Sequence, residues 1–310
     1  MTFLEMCQAV VSEGGISNDV APTAVTGQVD QLARVVNWVS RAWVEIQEKH
    51  IDWDFLRVED VATTTTSAGQ YIYTPDDFGI VDGYSEIGFN TGGAAAPAVG
   101  NTLTQGAITG TIKKIILQFG DWGTTTAIGK LILSSPSGNF AAGAATITGG
   151  LTCTLTGPQQ AINFNSWAWG SFRVYNTTDG TAGETLLTPR TYPYMRDVYL
   201  FGGTRDTRTR PDSVSAIPSN HSVVLGPIPD DGYTVTADFY KQPIVLAADG
   251  DIPDVHPQHH MIIVYRALWK YGLYESAGEM VSYARSEYEP KLYAMNREFR
   301  PVMRLGGSLA

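Results

Sequence analysis

Cysteine is nearly absent from this sequence, which has Cys7 and Cys153 as its two thiols in 310 residues. We expect them to lie in different domains, which favours two reduced thiols over a disulfide and folding in a reducing cytosol. Long apolar runs are also missing. No stretch approaches the roughly 20 apolar residues of a membrane span, so we expect no membrane association.

Basic residues are few, with 21 Lys and Arg against 31 Asp and Glu and a formal net charge of −10. Tight wrapping of nucleic acid is therefore not expected, because phosphate binding needs clustered cations. The common catalytic motifs are missing as well, including the nucleophile elbow, the Walker loop and the dinucleotide fingerprint. We predict that the protein is not an enzyme. His256, His259 and His260 have no Cys or Glu at the usual ligand spacing, so we expect no metal or other cofactor.

A helical pattern dominates the end of the chain, from Pro253 to Phe299. Apolar and aromatic residues recur every three or four positions in two runs, with a joint near Gly272 to Gly278. This spacing predicts two helices, and Pro290 should kink or shorten the second one. Their apolar stripe needs a partner helix.

The partner is predicted near the other end of the chain, between Gln28 and Trp53, where apolar residues again alternate every three and four positions. Thr26 is the expected N-cap of this long helix. Residues 2–12 predict a shorter first helix that ends at Gly14 and Gly15. The two ends of the chain are therefore expected to form a helical bundle.

The middle of the chain, from Gly88 to Gly183, has four basic and two acidic residues and is rich in Gly, Thr, Ala and Ser. Short β-type runs separated by Gly-rich turns predict an antiparallel sandwich or barrel-like module. The runs are Thr111–Phe119, Lys130–Leu133, Ala144–Ile147, Leu151–Leu155 and Trp167–Tyr175. Around this segment the sequence predicts a smaller β part, with strands at Ser222–Leu225 and Tyr233–Tyr240, and a short helix at Thr191–Phe201.

An ordered series of short motifs runs through both flanking regions. They are Trp53-Asp-Phe-Leu56, Gly69-Gln-Tyr-Ile-Tyr-Thr-Pro-Asp-Asp-Phe78, Tyr199-Leu-Phe-Gly202, Leu225-Gly-Pro-Ile-Pro-Asp-Asp-Gly-Tyr-Thr-Val235, Phe239-Tyr-Lys-Gln-Pro243 and Ile263-Val-Tyr-Arg-Ala-Leu-Trp-Lys-Tyr271. The series resembles the head-to-tail adaptor (connector) proteins of tailed bacteriophages, over about residues 1–87 and 184–310.

The resemblance implies an α+β fold, in which a helical bundle and a small β part carry an inserted antiparallel β-sandwich or barrel-like domain. The expected parts are 1–87 and 184–298 for the adaptor core, 88–183 for the insertion and 299–310 for a C-terminal arm. It also implies a structural virion protein in the neck, in a ring of commonly twelve copies that joins capsid to tail. Its implied partners are the portal protein and a downstream tail or nozzle protein. DNA would pass through the ring without sequence-specific binding, helped by an acidic wall.

The arm is the first candidate binding site. Arg297, Arg300 and Arg304 outnumber the one acid after residue 296, and Met303 and Leu305 are apolar. Resemblance favours an arm that grips the portal, with Arg300, Met303, Arg304 and Leu305 as anchors. A frayed terminus is the other interpretation.

Two further groups of residues leave alternatives open. Arg205, Arg208 and Arg210 lie in one loop and could contact DNA phosphates, the carboxylates of a neighbouring subunit or only solvent. The tryptophans of the middle region motivate a second function, a glycan- or receptor-binding virion module, because exposed aromatic rings can stack on sugars. These residues are Trp122, Trp167 and Trp169.

Overall fold

A computed structural model describes residues 1–16, 20–80, 84–93, 95–157, 159–217 and 219–299. The fold is α+β and divides into two compact units, one formed by Met1–Leu56 with the chain from Pro243 onward and the other by Arg57–Gln242. We call them the helical unit and the β unit. The predicted boundaries at residues 87 and 183 do not coincide with this division, and the four-part organisation stays a prediction. Within the described residues, no helix is long and apolar enough to cross a membrane.

The described part of the chain contains five α-helices. They are α1 (Phe3–Gly14), α2 (Asp30–Gln47), α3 (Tyr192–Val198), α4 (Met261–Tyr274) and α5 (Gly278–Phe299). The four helices of the helical unit confirm the predicted bundle, and α3 confirms the short helix of the β unit.

Helix α4 is the centre of the helical unit and packs against α1, α2 and α5. Its side chains from Ile262 to Tyr265 are all buried, as expected for a helix covered on several faces. The predicted joint follows α4, with Ser276 in the left-handed region at φ 57°. Of the two effects predicted for Pro290, shortening is wrong, because α5 continues to Phe299, and a kink stays a prediction.

Helix α1 begins with a side-chain cap, and helix α2 begins without one. Thr2 caps α1 in a reciprocal pair with Glu5, which satisfies two backbone N–H groups that the helix leaves without partners. The predicted cap of α2 at Thr26 is wrong. Gly27 has a left-handed φ of 70°, and α2 begins only at Asp30, without a side-chain cap.

Sixteen strands lie in the described part of the β unit. They are β1 (Arg57–Thr65), β2 (Ile72–Tyr73), β3 (Tyr84–Asn90), β4 (Thr102–Gln105), β5 (Ile108–Phe119), β6 (Ile128–Ser134), β7 (Gly143–Ile147), β8 (Leu151–Leu155), β9 (Gln160–Ala161), β10 (Phe164–Trp167), β11 (Arg173–Asn176), β12 (Thr185–Leu186), β13 (Thr188–Pro189), β14 (Ser213–Ala216), β15 (Val223–Gly226) and β16 (Tyr233–Lys241).

Six of these strands close into an antiparallel barrel, in the order β3, β6, β5, β4, β7, β8 and back to β3, with β9 added beside β3. Its interior holds a core of its own that includes Phe89, Leu103, Leu131 and Phe140. The low charge of this stretch follows from its architecture, because alternate residues fill the interior while small polar residues face outward.

The other strands form two sheets that share a second core. One has the order β1, β16, β11 and β12, with β10 also paired to β16, and the other has the order β13, β14, β15 and β2. The predicted strand Trp167–Tyr175 is divided between β10 and β11, because residues 168–172 form a turn closed by a bond from the Ser171 N–H to the Ala168 carbonyl. Both strands pair with β16 and lie outside the barrel ring.

Candidate assembly surfaces

The last turn of α5 is fixed to the turn at Pro257–His259, which precedes α4. The Glu298 carboxylate accepts hydrogen bonds from the Gln258 amide at 2.8 and 2.9 Å and lies 2.9 Å from His259 Nε2. Phe299 packs edge-on against the rings of His259 and Phe55, with centroids 5.4 and 5.8 Å away. These contacts fix the last described residues of the chain within the helical unit.

The predicted portal-binding anchors lie outside the described residues. These are Arg300, Met303, Arg304 and Leu305, and their role stays a prediction. Arg297, which is exposed in the last turn of α5, is the nearest described arginine.

The three arginines of the predicted binding loop differ in their surroundings. Arg210 is half-buried, and its Nη2 donates to the carbonyls of Val174 at 2.7 Å and Gly183 at 2.6 Å, and to the Thr185 hydroxyl at 2.9 Å. It therefore ties the turn before β12 to β11. These bonds hold the half-buried guanidinium against its own chain, so Arg210 is less available than an exposed arginine to DNA or a neighbouring subunit.

Arg205 and Arg208 are both exposed, but only one of them bonds within its own loop. Arg205 donates through Nε and Nη2 to the Leu200 carbonyl, at 3.1 and 2.8 Å. Arg208 lies beside Gly69, where an added Cβ would be 3.4 Å from the guanidinium. Of the three, Arg208 is the most available to a partner.

The three tryptophans that motivated a glycan-binding function lie in unlike places. Trp122 is buried in the barrel and stacks on Phe89, with ring centroids 4.8 Å apart. Trp167 is buried in the shared core of the two sheets. Trp169 is 46% exposed and stacks over Phe172 at 5.5 Å. Only one of the three rings therefore offers a face to a sugar.

The three neighbouring histidines do not converge. His256 is exposed, His259 faces Glu298, and the fully buried His260 has Nε2 3.0 Å from the Val255 carbonyl oxygen. Burial lowers the pKa of His260 to about 4, which keeps it neutral. Among the described residues, no group of three or more His, Cys, Asp or Glu side chains is arranged to hold a metal.

A buried ionic cluster in the β unit was not predicted from the sequence. Glu86 of β3 lies 3.0 Å from Lys130 of β6 and 2.8 Å from Lys241 of β16, and all three side chains are largely buried. Burial alone would raise the pKa of Glu86, but the two lysine charges outweigh it and lower the pKa to about 2. The cluster joins the barrel to the neighbouring sheet. The one available signal was the rarity of charge in this region, which made Lys130 conspicuous.

Comparison with known sequences places the chain among the phage head-to-tail adaptors, which are structural components of the virion. A family model matches residues 139–304, more than half of the 310 residues. The model is that of the SU10 adaptor protein, and the chain belongs to this family. No curated protein matches the chain.

The matched range spans β7 to β16 and the helices from α3 to α5. It includes residues 139–183 of the predicted insertion and leaves out residues 1–138. The resemblance of residues 1–87 to adaptors, and the insertion itself, therefore stay predictions.

Proposed function

We propose that this protein forms a ring beneath the portal, joins the capsid to the tail and lets DNA pass through the ring. The observation that carries the proposal is the family match, which extends from the barrel through α5 to Arg304. It takes in the end of α5 and part of the predicted arm. The partners in this proposal are the portal protein, a downstream tail or nozzle protein and further copies of the chain.

The acidity of the chain supports the proposed passage of DNA. Each copy has a formal charge of −10. A ring of about twelve copies would have on the order of a hundred negative charges, and its field would act within about 10 Å at moderate salt. Such a wall repels phosphates, so the duplex can slide without binding.

The C-terminal arm is the proposed contact with the portal. Phe299 is the last described residue, and its ring packs against Phe55 and His259. Beyond that point Met303 and Leu305 would enter apolar pockets of the portal, while Arg300 and Arg304 pair with its carboxylates.

A chain that ends at Phe299 tests this contact, since it keeps the packing of Glu298 and Phe299. It should fold normally and lose binding to purified portal rings, measured by mass photometry of the mixture. Reversing Arg300 and Arg304 to Glu should weaken binding and change its salt dependence. Arg297→Glu is the matched control and should bind normally. Undiminished binding by the truncated chain would contradict the proposed arm.

We also propose that the barrel is an accessory module inserted into the adaptor. Two observations support this proposal. The strands from β3 to β8 come from one continuous segment and form a closed ring, and this ring has a hydrophobic core of its own. Its contacts with the rest of the β unit include the pairs Glu86–Lys241 and Lys114–Glu59.

A further inference from the structure

Helix α3 is attached to the β unit mainly through one side. Met195 is fully buried and packs beside Gly226, where an added Cβ would lie 2.7 Å from the Met195 Cε. Most of the remaining residues of α3 and of the loop up to Thr209 are exposed. This part of the unit therefore presents side chains that the described fold does not use for its core.

Three of the exposed side chains are large and apolar. Tyr194 is 39%, Val198 37% and Phe201 73% exposed. Tyr194 and Val198 are four residues apart and share a helix face. Single exposed apolar residues are ordinary, whereas a cluster of them marks an interaction surface.

The loop that carries Phe201 is held in place by its own hydrogen bonds. Thr204 Oγ1 donates to the Phe201 carbonyl at 2.5 Å, and Arg205 donates twice to the Leu200 carbonyl. The backbone on both sides of the ring is thus fixed before any partner binds. A fixed anchor loses less conformational entropy on binding than a mobile one.

The charge around this cluster is opposite to that of the protein. Residues 190–210 contain five basic and two acidic side chains in a chain of net charge −10. Arg196 and Arg208 are exposed, and among the described residues no carboxylate lies within ion-pairing distance of either. Their complement is a negatively charged partner, and a second copy of this chain has a formal charge of −10.

We propose that Tyr194, Arg196, Val198, Phe201 and Arg208, the α3 surface, bind the acidic surface of a second copy in a head-to-tail contact. A twofold contact would place one basic patch against another, whereas a head-to-tail contact joins unlike surfaces and can close a ring. The inference identifies the neighbour contact that a ring needs, and to that extent it rests on the proposed function.

Photo-crosslinking tests this contact directly. Phe201 is replaced by the photoreactive residue p-benzoylphenylalanine, both in purified protein at increasing concentration and in particles assembled in infected cells. Leu186, which is 65% exposed in the same unit but outside the α3 surface, is the control position. After irradiation, gel electrophoresis with mass spectrometry identifies the product.

A crosslinked dimer of about twice 33.6 kDa from position 201, and not from position 186, is the expected result. A product with another virion protein, or no dimer from particles that contain the variant, would overturn the inference. If the variant is missing from particles that contain the unmodified protein, the crosslinking result with purified protein alone tests the contact between copies. If neither protein enters particles, the proposed virion role fails, and the purified protein still tests the contact.

A charge-reversal pair provides the second measurement. Arg196→Glu with Arg208→Glu, in the photoreactive background, should lower the dimer yield by about tenfold or more, because like charges across an interface disfavour binding. Arg205 is left unchanged because it holds its own loop. Lys113→Glu, an exposed reversal on β5, should leave the yield unchanged. Equal yields from all three proteins would refute the electrostatic part of the contact.

Discussion

Replacing Glu86 by glutamine keeps the shape of the side chain and removes the negative charge between Lys130 and Lys241. The Glu86 carboxylate lies 3.0 Å from the Lys130 Nζ and 2.8 Å from the Lys241 Nζ, and each of the three side chains is at most 17% exposed. Removing one partner from a buried ionic cluster typically costs about 3–5 kcal/mol, because the remaining charges stay desolvated. Glu86→Gln should therefore be among the most destabilising conservative substitutions in the β unit.

The titration of Glu86 points in the same direction. The two lysine charges lower the pKa of Glu86 to about 2, whereas burial lowers the pKa of Lys241 to about 8, so the carboxylate gains from the cluster what its partner in part loses. Because the folded-state pKa of Glu86 lies below the unfolded value, this stabilisation is present above pH 4.5 and is lost as the pH falls towards 2. Glutamine does not titrate, so the Glu86→Gln variant should not lose stability at low pH through protonation of residue 86.

Thermal unfolding followed by circular dichroism at pH 7 measures the effect. For a unit of this size, a loss of about 3–5 kcal/mol lowers Tm by on the order of 10 °C. Glu59→Gln is the matched control, because Glu59 is 53% exposed and lies 3.6 and 3.7 Å from Arg57 and Lys114. Exposed pairs of that kind contribute about 0–1 kcal/mol. Equal shifts for the two variants would refute the assigned role of the cluster.

Two further predictions concern the bundle and the barrel. Trp43→Ala should lower the free energy of unfolding by about 3–5 kcal/mol, because Trp43 is fully buried and stacks on Phe55. Trp38→Ala should lower it less, because Trp38 is partly exposed. Thermal unfolding checks this pair, and equal small shifts would contradict the packing. Replacing residues 91–157 with a short Gly/Ser linker should leave a soluble protein with native helix content by circular dichroism; an insoluble product would show that the barrel belongs to the main core.

The helices could be predicted because their signals are local. Apolar residues three and four positions apart fix both the existence of α2, α4 and α5 and the faces they bury. The failures were at Pro290 and Thr26. Tyr288 and Met295 are buried on either side of Pro290, so packing holds α5 together where the proline removes one backbone hydrogen bond. At Thr26 the capping side chain was present, but the left-handed Gly27 delays the helix.

The strands were predictable as segments but not as members of sheets. The run Trp167–Tyr175 follows the barrel strands in sequence and shares their composition, which placed it in the predicted insertion. Its strands instead pair with β16, about 60 to 75 residues further along the chain. Pairing partners at that separation are selected by the global packing of side chains, and a local pattern of alternation does not contain that information.

The same limit applies to the candidate binding residues. The sequence shows three arginines in one polar loop, and nothing in their spacing separates Arg210 from Arg208. The fold separates them, because the carbonyls of Val174 and Gly183 hold the half-buried guanidinium of Arg210 in place, whereas Arg208 is exposed. A basic side chain is most available for assembly where it is exposed and the fold does not already hold it. By that criterion Arg196, which the sequence pattern did not single out, belongs to the α3 surface with Arg208, and Arg210 belongs to the structure of the β unit.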